Sequence, residues 1–461
     1  MKVLKRFQST ILLIIKFTLF LLLFALFFLI FGIENAWLLH LSRTAAVTIL
    51  TFVSFGVATM SIYGGYGIGI NKSKPIISSM SLSTAFTDIV TYLMLCIMNT
   101  NSANNQTFKL ENLHLLLIVF ILQFIIIVAF AYFGNHVYFT INSPEKCCVI
   151  TTSKYALNNV MPKIKKYGKQ YKVTDAVLFT SPDIFDIINR CDTVFVYDVP
   201  IPSRTTIIEY CYANNKNIYY NFEMTDIVAL RGRPVILDDK PLYASQVKGL
   251  SDEQKFVKRL MDISLSLIGL LVLSPLFALC AILIKIEDGG AVLFKQKRAT
   301  IDGKIFYVYK FRTMRENNSV NRSVTDNDDR ITKVGKFLRK FRIDELPQLI
   351  NIIKGDMSIV GPRPEMIENV DEYEDKLPEF SYRLRVKAGL TGHAQIAGKY
   401  NTSPKDKLVL DLMYIEKYSL WLDFKILFQT LTVFFKAGDS TEAFKKTKEI
   451  EFFTNDERKD K

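Results

Sequence analysis

The sequence predicts a multidomain membrane protein: an N-terminal four-helix transmembrane bundle, a Rossmann-like α/β domain, a re-entrant membrane helix and an α/β catalytic domain. Three observations predict it. Residues 1–135 hold several long uncharged apolar runs, residues 145–245 alternate short β-rich runs with helical stretches, and the remainder is mostly of soluble character apart from one further apolar run. A chain of 461 residues has room for about three folded units. With 49% apolar and 22% charged residues, disorder as the dominant state is excluded. The expected divisions are 1–140 for the helices, 141–250 for the Rossmann-like domain, 251–290 for the re-entrant helix, 291–445 for the catalytic domain and 446–461 for a charged tail.

A bilayer-spanning helix needs about 20 apolar residues. Four candidates run over 11–31, 44–64, 82–99 and 113–134, the third interrupted by Asp88. The first follows Lys2, Lys5 and Arg6, as a signal peptide does, but it is too long for a signal-peptide core and no small-residue cleavage site follows. A retained anchor is the expectation. Lys and Arg favour the N-terminus and the second loop (Lys72, Lys74) over Arg43 and Lys109 of the other loops, which puts the N-terminus inside and returns the chain to the cytoplasm near Asn135.

Cys147–Thr151, Ala176–Phe179, Thr193–Tyr197 and Asn217–Tyr220 read as buried parallel strands, with helices such as Asn158–Tyr167 and Arg204–Asn214 between them. The first strand runs into Thr151-Thr152-Ser153-Lys154 where a dinucleotide site needs GxGxxG. The domain is therefore read as structural or regulatory. The six cysteines show no CxxC pair or ligand spacing, so neither a zinc site nor a disulfide framework is expected.

A fifth apolar run, Ile263–Ile284, is uncharged and has basic residues on both flanks. Ser274-Pro275 interrupts it, and proline removes a helical hydrogen bond. The expectation is a helix that enters the membrane and turns back to the same face, in preference to a full span.

The chemistry points to 294–364. Cations there include Lys310, Arg312, Arg339 and Arg342; they lead to Asp344-Glu345-Leu346-Pro347-Gln348 and then Gly361-Pro362-Arg363-Pro364. Pro347 suits a first helical turn, which would set the acid pair at a helix N-terminus and favour its ionised form. An Asp held at low pKa is a poor general base near neutrality but can attack phosphorus. A neighbouring Glu can hold Mg2+, and the cations can neutralise a diphosphate. Phosphoryl transfer at a cytoplasmic membrane surface follows from these residues. The net charge of +13 also fits nucleic acid in principle, but no DNA- or RNA-binding pattern is present, so nucleic acid is not an expected partner.

The segment 256–436 resembles the bacterial sugar transferase domain of the monotopic polyprenyl-phosphate phosphoglycosyl transferases, and the whole chain resembles their large form, which initiates exopolysaccharide, capsule or O-antigen synthesis. The likeness rests on Lys258-Arg259 with Asp262, Ser274-Pro275, Lys310-Phe311-Arg312-Thr313-Met314, the Asp344 and Arg363 motifs, Gly389-Leu390-Thr391-Gly392 and the Asp411 to Asp423 stretch. It implies that Asp344 attacks the β-phosphate of a UDP-sugar, releasing UMP, and that polyprenyl phosphate, usually undecaprenyl phosphate, then takes the sugar-1-phosphate. It implies Glu345 as the Mg2+ ligand, substrate contacts from Lys310, Arg312, Arg339, Arg342 and Arg363, Arg259 and Asp262 as helix anchors, and Ser274-Pro275 as the shape of the re-entrant helix. It implies a homodimer in the bacterial inner membrane, with the catalytic domain on the cytoplasmic face and glucose or galactose as the sugar. Direct attack by the lipid phosphate stays open as a mechanism. A non-catalytic membrane scaffold and a lipid-linked sugar flippase stay open as rival functions. His393 and Lys399 stand where relatives often have Trp and Arg, which bears on the substrate pocket.

Overall fold

The structure, a computed structural model, describes residues 7–64, 67–100, 107–245, 249–315, 330–398 and 402–435. Lys2, Lys5, Arg6, Lys399 and the expected tail 446–461 lie outside the described residues. The chain forms two compact units that part between Asn221 and Phe222.

The first unit opens with four long helices: α1 (Gln8–Glu34), α2 (Arg43–Tyr63), α3 (Ser73–Asn99) and α4 (Leu113–Ile141). Their shared core draws Leu23, Phe27 and Phe31 from α1, Phe52 from α2, Met80 and Tyr92 from α3, and Val119 and Ile127 from α4. Asp88 faces this interior, where its Oδ1 accepts from Gln123 Nε2 at 3.3 Å; the same amide donates to the Leu23 carbonyl at 3.1 Å. A carboxylate inside an apolar bundle needs such a partner, which explains how the third helix tolerates it.

A parallel sheet follows, in the order β2-β1-β3-β4. Its elements are β1 (Glu145–Thr151), α5 (Lys154–Lys165), β2 (Tyr171–Leu178), α6 (Ile184–Arg190), β3 (Thr193–Tyr197), α7 (Ile201–Ala213) and β4 (Asn217–Tyr220). Cys147 to Ile150 are buried, as a strand covered on both faces requires. Leu157, Val160 and Met161 of α5 pack on one face, and Ile187, Ile188, Ile207 and Cys211 of α6 and α7 on the other. The turn after β1 is closed by Ser153, whose hydroxyl accepts from Ala156 N at 3.2 Å. Gln170 Nε2 donates to the carbonyls of Gly69 and Ile70 at 2.7 and 2.8 Å, tying the sheet to the α2–α3 loop. All six cysteines are free and buried.

The second unit contains α8 (Met224–Leu230), the hairpin β5 (Arg233–Leu237) and β6 (Lys240–Ala244), α9 (Asp252–Asp288), the hairpin β7 (Leu293–Ala299) and β8 (Ile305–Phe311), α10 (Lys333–Lys340) and α11 (Gln348–Lys354). It continues with β9 (Ser358–Val360), α12 (Ile367–Lys376), β10 (Gly389–Thr391), α13 (His393–Ala397), α14 (Pro404–Glu416) and α15 (Leu420–Phe435). Phe306, Val308, Ile352, Val360, Leu412 and Ile426 form its centre, with Ile227 of α8 among them.

Among the described residues, five helices are long and apolar enough to cross a membrane by length and composition, namely α1 to α4 and Asp252–Glu287 within α9. The 37 residues of α9 make a helix roughly 55 Å long at 1.5 Å per residue. It runs through Pro275 without interruption of its assignment. Proline leaves the Leu271 carbonyl without its usual amide partner, and Ser274 Oγ donates to that carbonyl at 2.8 Å. The Ser-Pro pair therefore replaces the lost bond instead of ending the helix.

Both halves of α9 are held by the same unit. Arg259 Nη1 and Nη2 donate to the Ile352 and Ile353 carbonyls at 2.6 and 2.7 Å. Asp262 Oδ1 accepts from Ser358 Oγ and Ile359 N at 3.0 and 2.9 Å. Lys258 pairs with the buried Asp423 at 2.7 Å, and Tyr414 donates to the other Asp423 oxygen at 2.8 Å. Toward the other end Cys280 and Ile284 pack on Phe311 and Leu338, and Glu287 accepts from the first two amides of α10, Lys333 N and Val334 N, at 2.7 and 3.1 Å. Leu271, Val272, Leu279, Ile282 and Ile286 remain exposed on the opposite side.

Candidate active site

Three segments meet at the acid pair. Strand β8 delivers Lys310: Phe306 and Val308 face the core, and the strand is locked to α11 by Asn351, whose Oδ1 accepts from Tyr309 N at 2.9 Å while its Nδ2 donates to the Tyr307 carbonyl at 2.8 Å. A 3-10 turn, Ile343–Glu345, carries the pair itself between α10 and α11. Arg342 enters it in the left-handed region at φ 52°, uncommon for a residue with a Cβ. The loop after β9 carries Arg363. Gly361 is required there because a Cβ would collide with the Lys387 carbonyl, so tightly does the loop lie against the Gly389 strand. Gly361 N donates to the Thr391 carbonyl at 2.9 Å and Gly389 N to that of Pro362 at 2.8 Å.

Lys310 Nζ and Arg363 Nη2 both reach Glu345 Oε1, at 2.8 and 2.9 Å. Burial acts to raise the Glu345 carboxyl, but Arg363 and Lys310 outweigh it and hold the group well below the usual carboxylate range. Asp344 behaves oppositely. Burial and the charge on Glu345 push it up to about 6, against the pull of Lys310, Arg339 and Arg363. This corrects the expectation of a low-pKa Asp344. The cations lie around both residues, but they are spent on Glu345, and withdrawal from water decides for its neighbour. The pair also precedes the helix: Pro347 is the residue before α11 rather than part of its first turn.

The structure thus brings Lys310, Arg339, Arg342 and Arg363 to the acid pair, where each interacts electrostatically with it. Arg312 is placed elsewhere, buried with its guanidinium against Gly290. Arg259 and Asp262 hold α9 as described, and His393 is half-buried at the start of α13, its pKa lowered by that burial and by Lys425.

Sequence reasoning missed the supports of the Arg363 loop. Arg383 donates from Nε to Asp411 Oδ2 at 2.9 Å, and from Nη2 to the Arg363 carbonyl at 2.9 Å. Arg298 Nη1 donates to the Pro364 carbonyl at 3.1 Å. Arg383 and Asp411 are 3% and 1% exposed, and Arg383 Nη1 also lies 3.9 Å from Glu365 Oε1, so the Asp411 charge depends on an Arg383 that two carboxylates share. The one signal for them is Asp411 on an otherwise apolar helical face. Among the described residues no group of three His, Cys, Asp or Glu side chains gathers as a metal cluster.

The second unit thus sets an acid pair among four cations and also carries one long apolar helix. Residues 253–437 match the bacterial sugar transferase family. The chain is 40% identical over 222 residues to the UDP-glucose:undecaprenyl-phosphate glucose-1-phosphate transferase of Escherichia coli strain K12, covering 47% of this chain and 46% of that protein. It is 43% identical over 181 residues to the UDP-N-acetylgalactosamine-undecaprenyl-phosphate N-acetylgalactosaminephosphotransferase of Aeromonas hydrophila, covering 38% and 43%. A UDP-glucose:undecaprenyl-phosphate glucose-1-phosphate transferase of Caulobacter vibrioides is 39% identical over 181 residues, covering 38% of this chain and 68% of that protein. The chain spans less than half the length of the first two of these relatives. It belongs to the bacterial sugar transferase family.

Proposed function

We propose that this chain transfers a hexose-1-phosphate from a UDP-sugar to polyprenyl phosphate, of the undecaprenyl kind, and releases UMP. The observation that carries the reading is the meeting of Lys310 and Arg363 on Glu345, next to an Asp344 lifted toward neutrality. The names of the relatives support the substrate pair.

In the proposed reaction an Asp344 carboxylate oxygen bonds to the β-phosphorus of the UDP-sugar. The bond from that phosphorus to the oxygen bridging it to the α-phosphate breaks, and UMP leaves with the bridging oxygen. The aspartyl-phosphosugar is then attacked at phosphorus by an oxygen of the lipid phosphate, which frees Asp344. Ionised Asp344 is the competent form, and a pKa of about 6 leaves it mostly ionised at neutral pH without the weak basicity of a strongly acidic carboxylate. Arg339, Arg342, Lys310 and Arg363 face the diphosphate charge. Mg2+ fits this donor set, because it binds through one or two carboxylates plus substrate phosphates. Glu345, kept ionised, would hold it with the oxygen not committed to the two cations. When bound, it would neutralise diphosphate charge.

In the proposed setting the first four helices cross the bacterial inner membrane as a bundle. Helix α9 enters and returns on the cytoplasmic face, supported by the anchoring of both its halves on one unit. The protein works as a homodimer, with glucose or galactose as the sugar, at the first membrane step of exopolysaccharide or capsule synthesis. The test is UMP release by detergent-extracted protein with Mg2+ and a panel of UDP-sugars, with and without undecaprenyl phosphate. One sugar should release UMP, a single turnover should occur without lipid, and Asp344→Asn should release none. UDP in place of UMP refutes the chemistry. Loss only of lipid-free release would favour direct attack by the lipid phosphate. No UMP with any sugar favours the scaffold.

A further inference from the structure

The cleft beside Glu345 is walled by Arg298, Lys310, Arg363, Leu390 and Gln395. Two of these residues hold buried polar atoms with no hydrogen-bond partner among the described residues. The Arg298 guanidinium is fixed at both ends, Nη1 on the Pro364 carbonyl at 3.1 Å and Nη2 on Gln296 Oε1 at 2.7 Å, which leaves Nε alone. Gln395 Nε2 donates to the Leu390 carbonyl at 3.4 Å, which leaves Oε1 alone. Buried polar atoms are nearly always paired, so an orphan donor and an orphan acceptor on two residues that line one cleft call for an explanation. Three cations against the single carboxylate of Glu345 make this cleft attractive to an anion. A lone acceptor in such surroundings asks for something different, a neutral O–H or N–H.

We infer that Gln395 is a specificity-determining residue that accepts, through Oε1, a hydrogen bond from a neutral donor of the sugar nucleotide, while Arg298 beside it meets a phosphate oxygen. The inference rests on the UDP-sugar reading above. A sugar nucleotide offers such donors on two parts: a hydroxyl of the transferred sugar, and on the nucleoside a ribose hydroxyl or the N3–H of uracil. Both would satisfy the amide oxygen, and either would make the cleft discriminate, because a site with a buried acceptor penalises any ligand lacking the matching donor.

The test is steady-state UMP release by the full chain in nanodiscs, with Gln395→Met and Gln395→Glu beside the wild type. Both variants lose the donor to Leu390, but only Met loses the acceptor. Gln395→Met should raise KM for the UDP-sugar about tenfold, the loss of one well-made hydrogen bond, with kcat within about twofold. Gln395→Glu keeps an acceptor but adds a charge that repels the diphosphate, so its KM also rises, while it still prefers the sugar nucleotide over an analogue lacking the matching donor. Inhibition by UMP separates the two parts. A contact to the nucleoside weakens UMP by the same factor as KM rises. A contact to the sugar leaves UMP inhibition unchanged, and the Met variant then ceases to distinguish the sugar from its deoxy analogue. A Met variant whose KM rises while it still discriminates as wild type against the deoxy sugar, an N3-methyluracil nucleotide and a deoxyribose nucleotide would assign Gln395 to holding Leu390 and overturn the inference. So would a Met variant with unchanged KM and unchanged UMP inhibition. A wild type that releases no UMP from any UDP-sugar overturns the function reading itself, an outcome distinct from either.

Discussion

Asp344 sets a pH dependence that can be measured without the lipid acceptor. Its carboxyl moves from 3.8 to about 6, a difference of roughly two units or about 3 kcal/mol between its protonation states. Below pH 6 the nucleophile is mostly protonated, and each further unit removes about a factor of ten from the ionised fraction. Single-turnover UMP release should therefore climb about tenfold between pH 4.5 and 5.5 and level off above pH 7. Glu345→Gln removes the neighbouring negative charge that helps to raise Asp344, so the inflection should move to lower pH. The same shift acts on stability. Because the folded pKa is raised, the stabilisation by the neutral carboxyl is complete below about pH 4 and is lost as pH rises through about 6. Asp344→Asn, which cannot ionise, should thus be more stable than wild type at pH 7 by on the order of 1–3 kcal/mol and no more stable at pH 4. Rapid-quench measurement of UMP and thermal unfolding in nanodiscs read the two effects. A release rate that is flat from pH 5 to 8, with no stabilisation by Asn, would refute the assignment of Asp344 as a buried, raised carboxyl.

Three further outcomes are expected. Asp411→Ala leaves the buried Arg383 with only the longer 3.9 Å pairing to Glu365 and should cost about 3 kcal/mol in chemical denaturation, with a larger loss of UMP release than global unfolding explains, since Arg383 also supports the Arg363 backbone. Glu287→Ala leaves the first two amides of α10 without their acceptor, although Thr332 still caps Gly335 N, and should lower stability by about 1 kcal/mol and, because α10 carries Arg339, reduce kcat more than KM. EDTA should abolish UMP release and Mg2+ restore it, while circular dichroism stays unchanged, because the described residues supply too few ligands for a structural metal.

Much of the site was legible because its chemistry is written in short contiguous motifs. Asp344-Glu345 and the Arg363 loop announce themselves as charges among turn-forming residues, and Lys310 stands in the cation-rich stretch that leads up to them. That Lys310 and Arg363 converge on one oxygen of Glu345 could not be read, since it depends on how Gly361 packs against the Gly389 strand. The direction of the Asp344 shift was misread for a related reason. Sequence shows how many cations stand nearby but not how deeply a group is withdrawn from water. Strands β1, β3 and β4 followed their apolar runs closely in extent, but β4 is an edge strand with Tyr219 and Tyr220 exposed rather than the buried strand expected, and β2 begins earlier than expected, at Tyr171, because its half-exposed start carries polar residues that hide the pattern. The Ser274-Pro275 pair looked like a break, and only the hydroxyl's bond to Leu271 shows how the helix continues through it.

The anchoring of α9 at both ends bears on how a greasy acceptor finds the site. On the proposed placement, the lipid phosphate never leaves its leaflet and the enzyme never leaves the surface, so their encounter is a search in a plane. Its rate then follows the mole fraction of carrier lipid among its neighbours, not the amount per volume of cell. Diluting the carrier with inert lipid should slow turnover at constant total carrier. The soluble sugar nucleotide, arriving from three dimensions, would be indifferent to that dilution.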